Sequence, residues 1–152
     1  MDQLASNVLD VIRNTNVSLN SKLDLLSRLK ATIKHQHVPE PAISASFDVV
    51  RVAISSLDLL DAGFSILSHL TKRLILQDHQ SILASEGNKT YSCIVDRLGD
   101  ARDRVRSRAL QALVDFWSVS PADVEQVIRD ISLASKVPKA KEAGMQWILK
   151  VS

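Results

Sequence analysis

The sequence predicts an all-α protein, an α-solenoid built from about four helical hairpins. Three observations carry that expectation. Apolar residues recur at i, i+3, i+4 and i+7 in one stretch after another, the signature of helices with one buried face. The composition is 45% hydrophobic but only 4% aromatic, with four glycines and four prolines, which suits helices packed with Leu, Ile, Val and Ala rather than sheets or disorder. Finally, the two-helix pattern returns several times along the chain.

The clearest unit lies at 91–117. Tyr91, Ile94, Val95 and Leu98 form one helical stripe. Gly99 is expected to end that helix in the left-handed conformation that glycine accepts without a steric penalty. Asp100 or Asp103 is expected to cap the next helix, where Val105, Ala109, Ala112, Leu113 and Phe116 resume the 3.6-residue period. Such a hairpin leaves apolar surface on both flanks and needs neighbours of the same design.

From the N-terminus, a first helix is expected over 2–13, with Leu4, Val8, Val11 and Ile12 inward. The polar stretch 14–20 breaks it, because Asn and Ser side chains compete for backbone hydrogen bonds. A second helix at about 21–34 carries Leu25, Leu26, Leu29 and Ile33, and Pro39 and Pro41 end the pair. The third, at about 41–55, presents Ile43, Phe47, Val50 and Ile54. The fourth, at about 59–76, presents Leu60, Gly63, Phe64, Leu67, Leu70 and Leu74. A short helix is expected at 78–85, then a break at Gly87-Asn88 before the fifth helix at 89–98. Ser120-Pro121-Ala122-Asp123 signals a seventh helix, with Val124, Val127, Ile128 and Ile131. A basic turn at 135–139 leads to an eighth, with Ala140, Gly144, Met145, Trp147 and Ile148.

Aligning the second helices at Ser21, Leu59, Val105 and Ala140 gives spacings of about 38, 46 and 35 residues, near the ~40–47 of HEAT or armadillo repeats. The same register puts a basic residue next at Lys22, Arg106 and Lys141, and a small one four on at Gly63, Ala109 and Gly144. A small residue there lets neighbouring helices approach closely. The fold class is therefore an α-solenoid of about four HEAT-type hairpins, one domain over 1–152.

Nineteen basic and seventeen acidic residues give a formal charge of +2, too mild to point to nucleic acid. The single cysteine, Cys93, lies beside Ile94 and Val95 and reads as core filler. No secretory leader pattern and no run of about 18 apolar residues occurs, so a soluble, intracellular protein with no membrane contact is expected. His35, His37, His69 and His79 lack companion ligands, so neither a metal nor a cofactor is expected. No phosphate loop or nucleophile motif marks an enzyme. Trp117 and Trp147 read as packing residues.

The candidate partner-binding residues are basic and lie in two hairpin loops: Arg102 and Arg104 in one, Lys136, Lys139 and Lys141 at the other. If the hairpins stack in register, these cations share one rim that suits an acidic partner. Arg106 reads differently, as a structural arginine paired with an aspartate such as Asp100.

The run Asp96-Arg97-Leu98-Gly99-Asp100-Ala101-Arg102-Asp103-Arg104-Val105-Arg106 resembles the CLASP family of microtubule-stabilising proteins, in its N-terminal TOG-type HEAT domain. The residues from Gly63 to Leu74 resemble the second helix of that domain's second repeat, and those from Ile33 to Glu40 are similar to its fungal branch. The resemblance implies a non-catalytic module that binds tubulin or microtubules, or kinetochore proteins, and places a longer parent protein on the spindle, in cytoplasm and nucleus. It implies contact through the loops inside the hairpins, here 14–20, 55–58, 99–104 and 135–139. Tubulin-binding relatives carry a tryptophan in the first loop, where this chain has Val17 and Leu19, and six hairpins rather than about four. The alternative expectation is a structural adapter that takes a protein partner, or a second copy of itself through the C-terminal hairpin.

Overall fold

Seven α-helices account for the regular structure of the computed structural model, which describes residues 2–127 and 129: α1 (Asp2–Arg13), α2 (Leu19–His35), α3 (Glu40–Ile54), α4 (Leu60–Leu76), α5 (Gln80–Leu98), α6 (Asp103–Trp117) and α7 (Pro121–Val127). The expected eighth helix, with Lys136, Lys139, Lys141, Met145 and Trp147, falls outside the described residues. The chain divides into two units, Met1–Gln80 and Ser81–Ser152.

In the first unit two hairpins stack, α1 against α3 and α2 against α4, while α3 packs on α4 and α1 on α2. Because the α2–α3 linker is short, α3 starts near the end where α1 starts. The turns α1–α2 and α3–α4 therefore lie on one edge, and the ends of α2 and α4 on the opposite one. The predicted stripes form the core: Ile43, Phe47, Val50 and Ile54 from α3 are buried, with Leu60, Phe64, Leu67, Leu70 and Leu74 from α4 and Leu26, Leu29 and Ile33 from α2.

Gly63 sets the separation of α3 and α4. A Cβ built there would lie 2.9 Å from Ala53 Cβ and 3.0 Å from the backbone nitrogen of Ile54. The far edge of this unit is tied by side chain to backbone bonds. Arg73 donates from Nε to the Ile33 carbonyl at 3.0 Å and from Nη2 to the Lys34 carbonyl at 2.5 Å, covering acceptors that the end of α2 leaves open. The Gln77 amide donates to the Val38 carbonyl at 2.9 Å and accepts from the Val38 N–H at 2.8 Å, pinning the linker to α4.

Two expectations about glycine are corrected. Gly87-Asn88 does not break the chain: α5 runs unbroken from Gln80 to Leu98. Gly87 is buried there, and a Cβ would meet the Phe116 ring at 2.8 Å, so tertiary packing selects glycine where local propensity alone reads a stop. Nor is Gly99 left-handed. The described residue with positive φ is Asp78, at 64°. It closes α4 as a Schellman motif, with the His79 N–H donating to the Leu74 carbonyl at 2.9 Å and the Asp78 N–H to the Ile75 carbonyl at 3.1 Å.

In the second unit, Val105, Ala109, Ala112, Leu113 and Phe116 of α6 are buried, as are Tyr91, Ile94, Val95 and Leu98 of α5. Tyr91 and Phe116 meet edge to face, centroids 5.4 Å apart at 88°. Trp117 donates from Nε1 to Glu125 Oε1 at 3.3 Å, joining α6 to α7. Cys93 is half-buried rather than fully enclosed.

Alanine at a helical glycine ordinarily stabilises by about 0.5–1 kcal/mol. Here Gly63→Ala and Gly87→Ala are each expected to destabilise by roughly 1–3 kcal/mol through overpacking, read as a lower urea midpoint at unchanged slope. The Tyr91 hydroxyl is buried without a hydrogen-bond partner, and burial pushes its pKa up to about 12. Tyr91→Phe is accordingly expected to keep or raise the melting temperature, by up to about 4 °C for about 1 kcal/mol.

Candidate functional site

The loop between α5 and α6 is organised by Asp100. Its carboxylate does not cap α6 in the expected way: the N-cap is Arg102, in extended conformation, with no side-chain capping bond. Instead Asp100 Oδ1 accepts from the backbone N–H of Arg102 at 2.9 Å, an Asx-type turn that bends the chain into α6. The same carboxylate takes the Arg102 guanidinium in a fork, Nε to Oδ1 at 3.0 Å and Nη2 to Oδ2 at 3.1 Å. Arg97 approaches Oδ2 from the end of α5 at 3.8 Å.

Arg106 completes the set from α6. Its Nη1 donates to the carbonyl of Asp100 at 2.6 Å, and its Nη2 pairs with the Asp103 carboxylate. The structural arginine of the sequence reading is thus confirmed in role and altered in detail, since it holds the backbone of Asp100 rather than its carboxylate. Asp103, expected as an alternative cap, sits inside the first turn of α6 and is 91% exposed.

Three guanidinium groups therefore converge on one residue whose side chain is only 10% exposed. The hydrogen bonds and charge of Arg102, with the charge of Arg97, hold the Asp100 carboxyl down at about 2 against an ordinary 3.8. A bidentate pair with restricted solvent access is geometrically stiff in a way that isolated surface pairs are not.

Of the five candidate binding residues, Arg102 and Arg104 are placed together around the start of α6, and both are exposed. Arg102 also braces the loop, a role the sequence reading did not give it. Arg97, which it did not single out, supplies a brace from the other helix; its place one turn before Asp100 is the signal that was available. Lys136, Lys139 and Lys141 lie outside the described residues.

The two turns of the first unit have a different chemistry. In α1–α2, the Asn14 side chain accepts from the Asn16 N–H at 2.9 Å, and Ser18 caps α2 by accepting from the Ser21 N–H at 3.2 Å. In α3–α4, buried Leu59 draws the chain back while Leu57 at the tip is 68% exposed. Neither turn, 14–18 or 55–59, contains a Lys or Arg, and Leu19 is exposed beside the first. Cations thus mark the α5–α6 loop, whereas the turns of the first unit carry polar and apolar groups and, at Asp58, an exposed acid. Among the described residues no three His, Cys, Asp or Glu side chains group as metal ligands, and no helix is long and apolar enough to cross a membrane.

Lowering the pH tests the Asp100 hub. A depressed carboxyl pKa contributes stability that is present above the ordinary value of 3.8 and is lost as pH falls towards about 2. Asp100→Asn is expected to be less stable than the unaltered chain by roughly 1–2 kcal/mol at neutral pH. That gap should narrow between about pH 4 and pH 2 in urea melts.

A family model for the CLASP N-terminal region matches residues 1–152. The chain is 44% identical over 154 residues to Protein STU1 of Coccidioides immitis and 37% identical over 154 residues to Protein stu1 of Aspergillus fumigatus, covering all of this chain in both cases. It spans 12% of the length of each of these relatives. Among solved structures, the crystal structure of the MAST/Orbit N-terminal domain superposes with a TM-score of 0.78 at 18% identity, over 95% of this chain and 64% of that one. That likeness establishes the helical-repeat fold.

Proposed function

The chain belongs to the CLASP N-terminal family, and from that membership we propose that it is a non-catalytic, microtubule-associated module of a spindle protein, contacting tubulin or the microtubule lattice through loops inside its hairpins. The observation that carries the reading is the α5–α6 loop. Arg104 is exposed at the first turn of α6, on a segment that Asp100 fixes from three sides. A rigid loop with an outward cation loses little conformational freedom on meeting an acidic surface. Lys136, Lys139 and Lys141 extend the proposed contact on the strength of sequence alone.

A second reading has its own support. The turns of the first unit carry no basic residue and expose Leu19 and Leu57, a chemistry suited to another protein, such as a kinetochore component, rather than to a strongly acidic surface. On this reading the module is an adapter that places a longer protein on the spindle without binding tubulin itself.

Co-sedimentation with polymerised tubulin at low salt separates the two. Arg104→Glu with Lys136→Glu and Lys139→Glu is expected to lower the bound fraction severalfold while leaving the helical circular dichroism unchanged. Arg102 is left intact because its reversal would also disturb Asp100. Unchanged co-sedimentation removes the loop contact; a loss caused instead by Leu19→Ser and Leu57→Ser favours the apolar turns.

A further inference from the structure

A groove of about 160 Å³ lies between α2 and α4, lined by Ile33, Lys34, His69, Lys72, Arg73 and Leu76. It sits at the far ends of the two helices. The 17-residue α2 separates it by about 25 Å from the α1–α2 turn, so it is distinct from the loops proposed above.

Its charge is one-sided. Lys30 and Lys34 stand one turn apart on α2, and His69, Lys72 and Arg73 occupy adjoining turns of α4. Burial first, and then the neighbouring Lys30, Lys34, Lys72 and His35, lower the pKa of His69. Among the described residues no ion pair engages Lys30, Lys34 or Lys72.

Complementing the helix dipoles accounts for only part of this set. Lys34, His35 and Arg73 lie in last turns, where cations are favourable. Arg73 already meets the open carbonyls of Ile33 and Lys34. Lys30, His69 and Lys72 lie further back, where the dipole effect has decayed. Beside these cations Leu76 is 78% exposed and Ile75 38% exposed. The volume is below the roughly 300–1,000 Å³ of a small-molecule pocket and suits individual side chains of a bound chain.

We propose that this groove docks an acidic protein segment, whose Glu or Asp carboxylates meet Lys34, His69 and Lys72 while a neighbouring apolar side chain rests on Leu76. Charge complementarity selects the occupant: Lys34 and Lys72, with no ion pair among the described residues, flank His69 beside an apolar lip, a combination that accepts carboxylates next to a hydrophobe and rejects a basic or purely apolar helix.

The test uses the whole chain and a fluorescein-labelled peptide of four Glu-Glu-Leu repeats, followed by anisotropy at low salt and by amide chemical shifts. Binding is expected to shift amides of the last turn of α2 and of 69–76. Lys34→Glu and Lys72→Glu should each weaken it at least threefold, and together tenfold or more, with the helical circular dichroism at the assay temperature unchanged. Lys22→Glu makes the same charge change at the other end of α2 and should have little effect. Equal weakening by all three variants, equal binding of a Gln-Gln-Leu peptide, or shifts confined to other helices would each overturn the proposal. The microtubule assay of the loop variants is unaffected by either outcome, so the two claims fail separately.

Discussion

The distance between paired helices is fixed where a Cβ is missing. At Gly63 the backbone of α3 comes so close that a methyl group would press on the Ile54 nitrogen, and at Gly87 the edge of Phe116 fills the same space. Close approach lets the flanking Leu, Ile and Phe side chains interdigitate at the density of a protein interior. None of these helices could bury its stripe alone. The α3–α4 turn and the α5–α6 loop are positioned by the contact their two helices make, and so the presentation of each rests on a position that carries no side chain at all.

That dependence also explains which parts of the fold were legible. Period-3.6 patterning identified the five buried positions of α6, and every residue it placed in the stripes of α3 and α4 is buried although it missed Val49 and Ile66, because a helix between solvent and core must repeat its apolar residues at that interval. Gly87 was misread, since a glycine that ends a helix and one that admits a neighbour's ring look alike in one dimension. Asp78 was missed for the converse reason. An aspartate tolerates the left-handed conformation well enough to close α4, and nothing nearby marks it out from an ordinary polar residue.

The candidate site divides along a similar line. The motif around Asp100 was visible as a dense alternation of acid and base, but the partner of each charge was not. Arg97, Arg102 and Arg106 come from a helix end, a turn and a helix start, and only the folded hairpin shows that they meet at one aspartate. The α2–α4 groove was wholly unread. Each helix carries its basic residues at helical spacing, yet their sum depends on which helix packs on which, and α2 and α4 are brought together by the stacking of one hairpin on the next.

Charge counted along a sequence therefore differs from charge offered at a surface. In the loop, Arg102 and Arg97 depress the pKa of the Asp100 carboxylate and Arg106 holds the same residue's backbone carbonyl, so much of the formal positive charge is used inside the turn. In the groove, Arg73 is committed to backbone carbonyls, and Lys30, Lys34 and Lys72 form no ion pair among the described residues beside an exposed leucine. A partner that approached either place would meet unlike terms. At the loop it would find a stiff backbone bearing few outward cations, where geometry selects. At the groove it would find flexible lysine heads and an apolar lip, where affinity should fall steeply with ionic strength because exposed cations are screened within about 10 Å at 0.1 M salt.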